Sequence, residues 1–155
     1  MALEFTFGTC LDLPKEQVEK AIIKLAKESA TGVEARIVQS SVLCICCDYY
    51  TLYSTNDKET LDICAQISRM PVKFILDFEL FADEWERGRE AMMRLIGGLM
   101  RLSSDDCYLI ANGDYPFVMR RGGKTVVDDS RWVDREHFPY EALGIDFEWG
   151  VIPYD

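Results

Sequence analysis

Residues 72–102 read VKFILDFELFADEWERGREAMMRLIGGLMRL, and two different periods meet near residue 82. Before it, Phe74, Leu76, Phe78 and Leu80 recur at every second position, the pattern of one face of a strand predicted over Val72–Phe81. After it, Trp85, Met92, Leu95, Ile96 and Leu99 recur at helical spacing, and Met93, Met100 and Leu102 widen the stripe. Asp83 is the expected cap, Glu84 and Glu86 sit at the positive end of the helix dipole, and Arg101 sits near its negative end. Each residue of the Gly97-Gly98 pair costs roughly 1 kcal/mol of helix propensity. Their presence predicts a close approach of the helix to the sheet.

Working outward, the same order recurs in the first half of the chain. Leu3–Phe7 alternates as a half-buried strand, and Pro14 opens a helix in the position it tolerates best. Val18, Ala21, Ile22, Leu25 and Ala26 form that helix's apolar stripe, and Gly32 follows its end. A strand pair, Val33–Val38 and Val42–Tyr53, turns around Gln39-Ser40-Ser41. The run from Val42 to Cys47 is apolar on both faces and reads as a central strand. Ser54-Thr55-Asn56-Asp57 is loop and cap chemistry, and Glu59–Met70 reads as a short helix. Beyond the long helix, Cys107–Ala111 is a short strand ended by the turn signal Asn112-Gly113. Pro116–Arg120 and Thr125–Asp128 form a hairpin around Arg121-Gly122-Gly123-Lys124, and Trp132–Asp155 is expected to wrap the core irregularly. The fold class is α+β: one domain over residues 1–155, an antiparallel-rich mixed sheet with two long helices packed on one face.

Composition narrows the function. The 155 residues carry a formal charge of −10, which disfavours nucleic acid and acidic membrane surfaces as partners and favours a basic protein. Residues 125–155 hold eight acids against Arg131 and Arg135, just after a basic knot of Arg120, Arg121 and Lys124. No apolar run is long enough to span a bilayer, and Met1–Phe5 has no signal-peptide character, so a cytoplasmic location is expected. Cys10, Cys44, Cys46, Cys47, Cys64 and Cys107 read as reduced, buried thiols.

Candidate chemistry is thin. His137 is the only histidine and lies in the charged segment 134–139, where a solvated surface residue is the ordinary reading. Cys44, Cys46 and Cys47 lack zinc-site spacing, and in a strand Cys47 points away from the other two. Arg121-Gly122-Gly123-Lys124 lacks the spacing of a phosphate-binding loop. The acid pairs Asp105-Asp106 and Asp128-Asp129 suit turn capping or attraction to a basic partner better than catalysis. The tail aromatics Trp132, Phe138, Tyr140, Phe147, Trp149 and Tyr154 are expected to divide between packing and exposure. Neither an enzyme nor a cofactor is expected.

Several stretches together resemble the Sit-type (swarming-inhibition) immunity proteins of bacterial polymorphic toxin systems. They are the opening Met1–Phe5, the strand Phe74–Phe78 running into a long helix, Leu109–Asp114, Arg120–Gly123 and the following Trp132. The resemblance implies a cytoplasmic antidote that binds one cognate toxin domain and blocks its active site, as a monomer or weak dimer when free. The contact surface it implies combines Asp105, Asp106, Asp128, Asp129, Trp132, Asp134 and Glu136. The alternative is an acidic secretion chaperone that dimerises and holds an effector segment.

Overall fold

The computed structural model describes residues 3–39, 41–113, 115–130 and 138–153. Among these residues nine strands join into one sheet, with three helices packed on its faces. In chain order they are β1 (Leu3–Thr9), α1 (Lys15–Ser29), β2 (Glu34–Val38), β3 (Val42–Cys46), β4 (Tyr50–Thr55) and α2 (Lys58–Ser68), then β5 (Phe74–Leu80), α3 (Trp85–Met100), β6 (Cys107–Ala111), β7 (Tyr115–Arg121), β8 (Lys124–Val127) and β9 (Glu148–Trp149). The sheet order is β2-β3-β4-β5-β1-β6-β7-β8-β9. Every neighbouring pair is antiparallel except β8 with β9, so the mixed, antiparallel-rich α+β expectation holds.

The alternation in β1 and β5 builds the main core. Phe5 and Phe7 of β1, and Phe74, Leu76, Phe78 and Leu80 of β5, all lie within it. They meet Val18, Ile22 and Ala26 of α1 and Met92, Leu95, Ile96 and Leu99 of α3. These two long helices lie on one face, as expected, and also pack on each other. The third helix is on the other side. Leu61 and Cys64 of α2 pack against Met70, Val72, Ile75 and Tyr108, a second cluster formed by the opposite faces of β5 and β6. It covers one end of that face. No helix among the described residues is long and apolar enough to cross a membrane.

Turn chemistry behaves as read at several points. Asn112 and Gly113 both take left-handed φ values between β6 and β7, as do Gly122 and Gly123 between β7 and β8. Asp57 caps α2 by accepting a hydrogen bond from the Thr60 backbone N–H at 3.0 Å.

Four expectations need correction. Val42–Tyr53 is two strands, because Cys47-Asp48-Tyr49 turns back on itself. The turn is pinned at long range: the Asp48 N–H donates to the Thr31 carbonyl at 3.0 Å and the Thr31 hydroxyl to the Asp48 carboxylate at 2.6 Å. Asp83 does not cap α3; it sits inside a short 3-10 turn, Ala82–Glu84, that leads into the helix. Gly97 and Gly98 do not face the sheet. Gly97 lies under the backbone of Leu143 and Gly98 under the side chain of Leu25 in α1. The tail is partly regular, with a 3-10 turn at Tyr140–Leu143 and β9. Phe138 and Tyr140 are buried with Phe5 and Phe117, whereas Trp149 is 58% exposed.

Candidate partner-binding surface

The basic knot explains where the acidity is left over. Arg120 is buried and donates to the Met100 carbonyl at 2.8 Å and the Asp105 carbonyl at 2.9 Å, closing the C-terminal end of α3. Arg121 donates to the Ser68 carbonyl at the end of α2, at 2.7 Å. Arg101 holds the carbonyls of Leu143 and Gly144, and Lys124 pairs with Glu148 at 3.0 Å. Carbonyls at helix C-termini lack partners within the helix, so cations placed there serve the fold. Three of these four cations thus hold backbone carbonyls and one, Lys124, a carboxylate.

The acids singled out from the sequence are placed unevenly. Asp105 and Asp106 are half-buried between α3 and β6. The Asp105 carboxylate accepts from the Ser103 hydroxyl at 2.8 Å, and that of Asp106 accepts from the Gly122 N–H at 3.0 Å, tying down the β7–β8 turn. Asp128 corrects the expectation of a solvated contact residue. It is 2% exposed and accepts from the Ser130 N–H and hydroxyl and from the Ile152 N–H at 2.9 Å. Its carboxylate fastens the C-terminal segment to β8; a buried charge is tolerated where hydrogen bonds satisfy it. Asp129, next in sequence, keeps part of its surface in solvent. Trp132, Asp134, Glu136 and His137 lie outside the described residues.

A different set of carboxylates lies on the side of the sheet that α1 and α3 leave bare. In the register of β1 with β5, Glu4 stands opposite Glu79 and Thr6 opposite Asp77. In that of β4 with β5, Thr51 stands opposite Glu79 and Tyr53 opposite Asp77. Alternation places all six side chains on the solvent face, since Phe5, Phe78 and Leu52 between them point into the core. Glu4, Thr6, Tyr53, Asp77 and Glu79 line a shallow hollow of about 240 Å³. The Thr6 hydroxyl donates to Asp77 at 2.8 Å. Crowding by the flanking strands, and after it the Glu4 charge, push the Asp77 carboxyl above its ordinary range, against the pull of the Thr6 hydrogen bond. Among the described residues, none of the three acids has a lysine or arginine within ion-pair reach.

That arrangement is costly on its own. Like charges directly opposite on neighbouring strands destabilise a sheet by some tenths of a kcal/mol up to about 1 kcal/mol. Local rules broken without internal compensation are found where a surface serves a function. Sequence reading passed over these residues because it weighed acids adjacent along the chain. The signal was the polar half of each alternation, Glu4/Thr6 and Asp77/Glu79, brought together by pairing of strands seventy residues apart.

A second hollow, of about 690 Å³, lies between α1, α3 and residues 139–144 and is lined by Leu25, Glu28, Glu90, Arg94, Arg101 and Glu141. Its charges are of both signs, with Arg94 on Glu90 and Arg101 on the Leu143 carbonyl at 2.8 Å.

The chain matches the model of the family described as SitI3-like over residues 3–137. It belongs to that family. The resemblance to Sit-type immunity proteins read from the residues is therefore upheld, and the family points to a protein partner and to a role other than catalysis. No curated protein and no solved structure matches the chain.

The thiols give no sign of chemistry. All six cysteines are free. Cys44 and Cys46 share a face of β3 with their sulfurs 4.0 Å apart, and among the described residues no three His, Cys, Asp or Glu side chains converge as metal ligands. Burial, with help from Asp106 and Asp105, raises Cys10 to about 11, and burial raises Cys107 to about 12. The thiolate is the reactive form. Cys46 and Cys64 alone of the six keep part of their surface in solvent, so in native protein at pH 8 an alkylating reagent is expected to reach and modify them first. Cys10 and Cys107 should stay intact until denaturant is added. Peptide mapping by mass spectrometry checks this, and rapid labelling of Cys10 or Cys107 would show them to be more than core residues.

Proposed function

We propose that the chain is a cytoplasmic immunity protein that binds one cognate toxin domain and neutralises it by covering its active site. The observation that carries this reading is the uncompensated carboxylate group Glu4, Asp77 and Glu79 on the bare face of the central strands, in a chain of the SitI3-like family. Toxin domains that act on nucleic acid or nucleotides carry lysines and arginines in their clefts, because phosphate must be held there. An inhibitor that opposes those cations with fixed carboxylates needs no catalytic group of its own. Asp105 and Asp106, beside the Arg120 end of β7, and Asp129, beyond its Phe117 end, are further acids suited to the same partner, and Trp132, Asp134 and Glu136 are contacts proposed from the sequence alone. Asp128 is left out of this set because it is buried.

The test is co-expression with the candidate cognate toxin domain. Cells carrying both are expected to grow, and the two chains to purify together at equal stoichiometry with salt-sensitive affinity. Growth arrest despite full expression of both would overturn the proposal. So would purification of this chain with the N-terminal segment of a secreted effector in place of the toxin domain, which is the behaviour of a secretion chaperone.

A further inference from the structure

The sheet ends differently at its two edges. At one end β9 has only two residues, Glu148–Trp149. At the other, β2 offers five residues, four of them exposed along their whole length, and it pairs with β3 in unbroken register. An edge strand presents a row of unpaired N–H and C=O groups, and chains commonly blunt it with proline, a bulge or charges of one sign. β2 has no proline and no bulge, and its two charges are opposite, Glu34 and Arg36. Both project from the face that carries Cys46 and Cys44, and among the described residues neither is in an ion pair. On the other face Ile37 is 56% exposed.

We propose that β2 is a self-association edge, through which two copies of the chain join antiparallel about a two-fold axis at Ala35. The choice of axis follows from the sequence of the strand. A two-fold pairing is defined by the residue that meets its own copy. Centred on Arg36 it opposes two guanidinium groups, and centred on Glu34 it opposes two carboxylates. Centred on Ile37 it carries Glu34 beyond the end of the partner strand. Centred on Ala35 it sets Glu34 against Arg36 twice, and it brings Ile37 against Val33 on the opposite face. This register alone pairs both charges and covers the exposed isoleucine. Five-residue strands bury little area, so the association is weak and reversible. It leaves the hollow lined by Glu4, Tyr53, Asp77 and Glu79 uncovered, because β3 lies between β2 and β4, the strand of that hollow nearest to it. The inference is therefore independent of the toxin-binding proposal.

Sedimentation of the full chain from low-micromolar to near-millimolar concentration is expected to show the mass rising from 17.8 kDa toward twice that value. Arg36→Glu should abolish the rise, and Glu34→Arg combined with Arg36→Glu should restore it, a rescue that a folding defect would not produce. Ala35→Cys should form an intermolecular disulfide under mild oxidation, because antiparallel neighbours stand about 4.5–5.5 Å apart at Cα, within the span of a disulfide. Ile37→Cys should not, because its two copies lie about 14 Å apart at 3.4 Å per residue. A mass that stays at one chain throughout would overturn the proposal. So would a dimer indifferent to Arg36→Glu, or cross-linking as ready at residue 37 as at residue 35.

Discussion

Glu4→Lys is expected to weaken binding of the toxin domain about tenfold or more while leaving the protein as stable as before, or slightly more so. The two effects have opposite signs because they come from different partners. Within the chain, the substitution replaces a repulsive Glu4–Glu79 cross-strand pair with an attractive one, a gain of up to about 1 kcal/mol. Toward a cationic partner, it turns an attractive contact into a repulsive one, and like-charge juxtaposition at an interface costs several kcal/mol, where about 1.4 kcal/mol is a factor of ten in affinity. Glu79→Lys should behave in the same way. The double reversal should lose about a hundredfold or more in affinity with stability returned to that of the parent, since two lysines repel as two glutamates do. Calorimetric titration at two salt concentrations and thermal unfolding of the three variants separate these effects. Exposed charges are screened within about 10 Å at 0.1 M salt, so the loss should be largest at low salt. Unchanged affinity in the double variant would remove this face from the interface and leave Asp105, Asp106 and Asp129 as the acids to test next.

The contrast between the two acid sets explains what was legible in the sequence. Where a single period ran uninterrupted, as in Val72–Phe81 and the helix after it, local sequence named the element and its buried face. The N-terminal strand and helix were legible for the same reason. The turn at Cys47-Asp48-Tyr49 was not, because it contains neither glycine nor proline and is held by Thr31, a residue from before β2. The side of the sheet that α2 covers was hidden too: its periodicity names an inner face but not the layer that face meets. The site follows the same logic. Neighbouring acids such as Asp128 and Asp129 attract notice in a sequence, yet consecutive residues point in different directions, and here one is buried and used for anchoring. A surface patch is assembled across strands, and the Glu4–Glu79 pairing depends on β1 lying between β5 and β6, which no local pattern states. The destination of the arginines was equally non-local. Arg120 and Arg121 look like a basic patch until the ends of α3 and α2 arrive beside them.

The glycine pair in α3 supplies the largest expected change in stability, and the two members should differ. Alanine is favoured over glycine inside a helix by about 1 kcal/mol, so both substitutions begin with the same gain. At Gly98 the added methyl meets the side chain of Leu25, whose Cγ is 3.1 Å away. That side chain borders the larger hollow and can swing into it, so Gly98→Ala should lie within about 1 kcal/mol of the parent. At Gly97 the obstacle is backbone: the methyl falls on the Leu143 carbonyl, with the Leu143 Cα only 2.7 Å away. The Tyr140–Leu143 turn cannot yield alone. Arg101 holds the Leu143 carbonyl at 2.8 Å, and Phe138 and Tyr140 are packed against Phe117 in the core. Overpacking costs about 1–3 kcal/mol, and a lost hydrogen bond to a charged group about 1.5–3 kcal/mol more. Set against the helix gain, Gly97→Ala should destabilise by about 3 kcal/mol, a fall in Tm of roughly 6–12 °C for a chain of this length. Circular dichroism melts of the two variants side by side measure the difference. Equal melting temperatures would mean that residues 140–144 move aside freely, and that the C-terminal segment is laid over α3 without being locked to it.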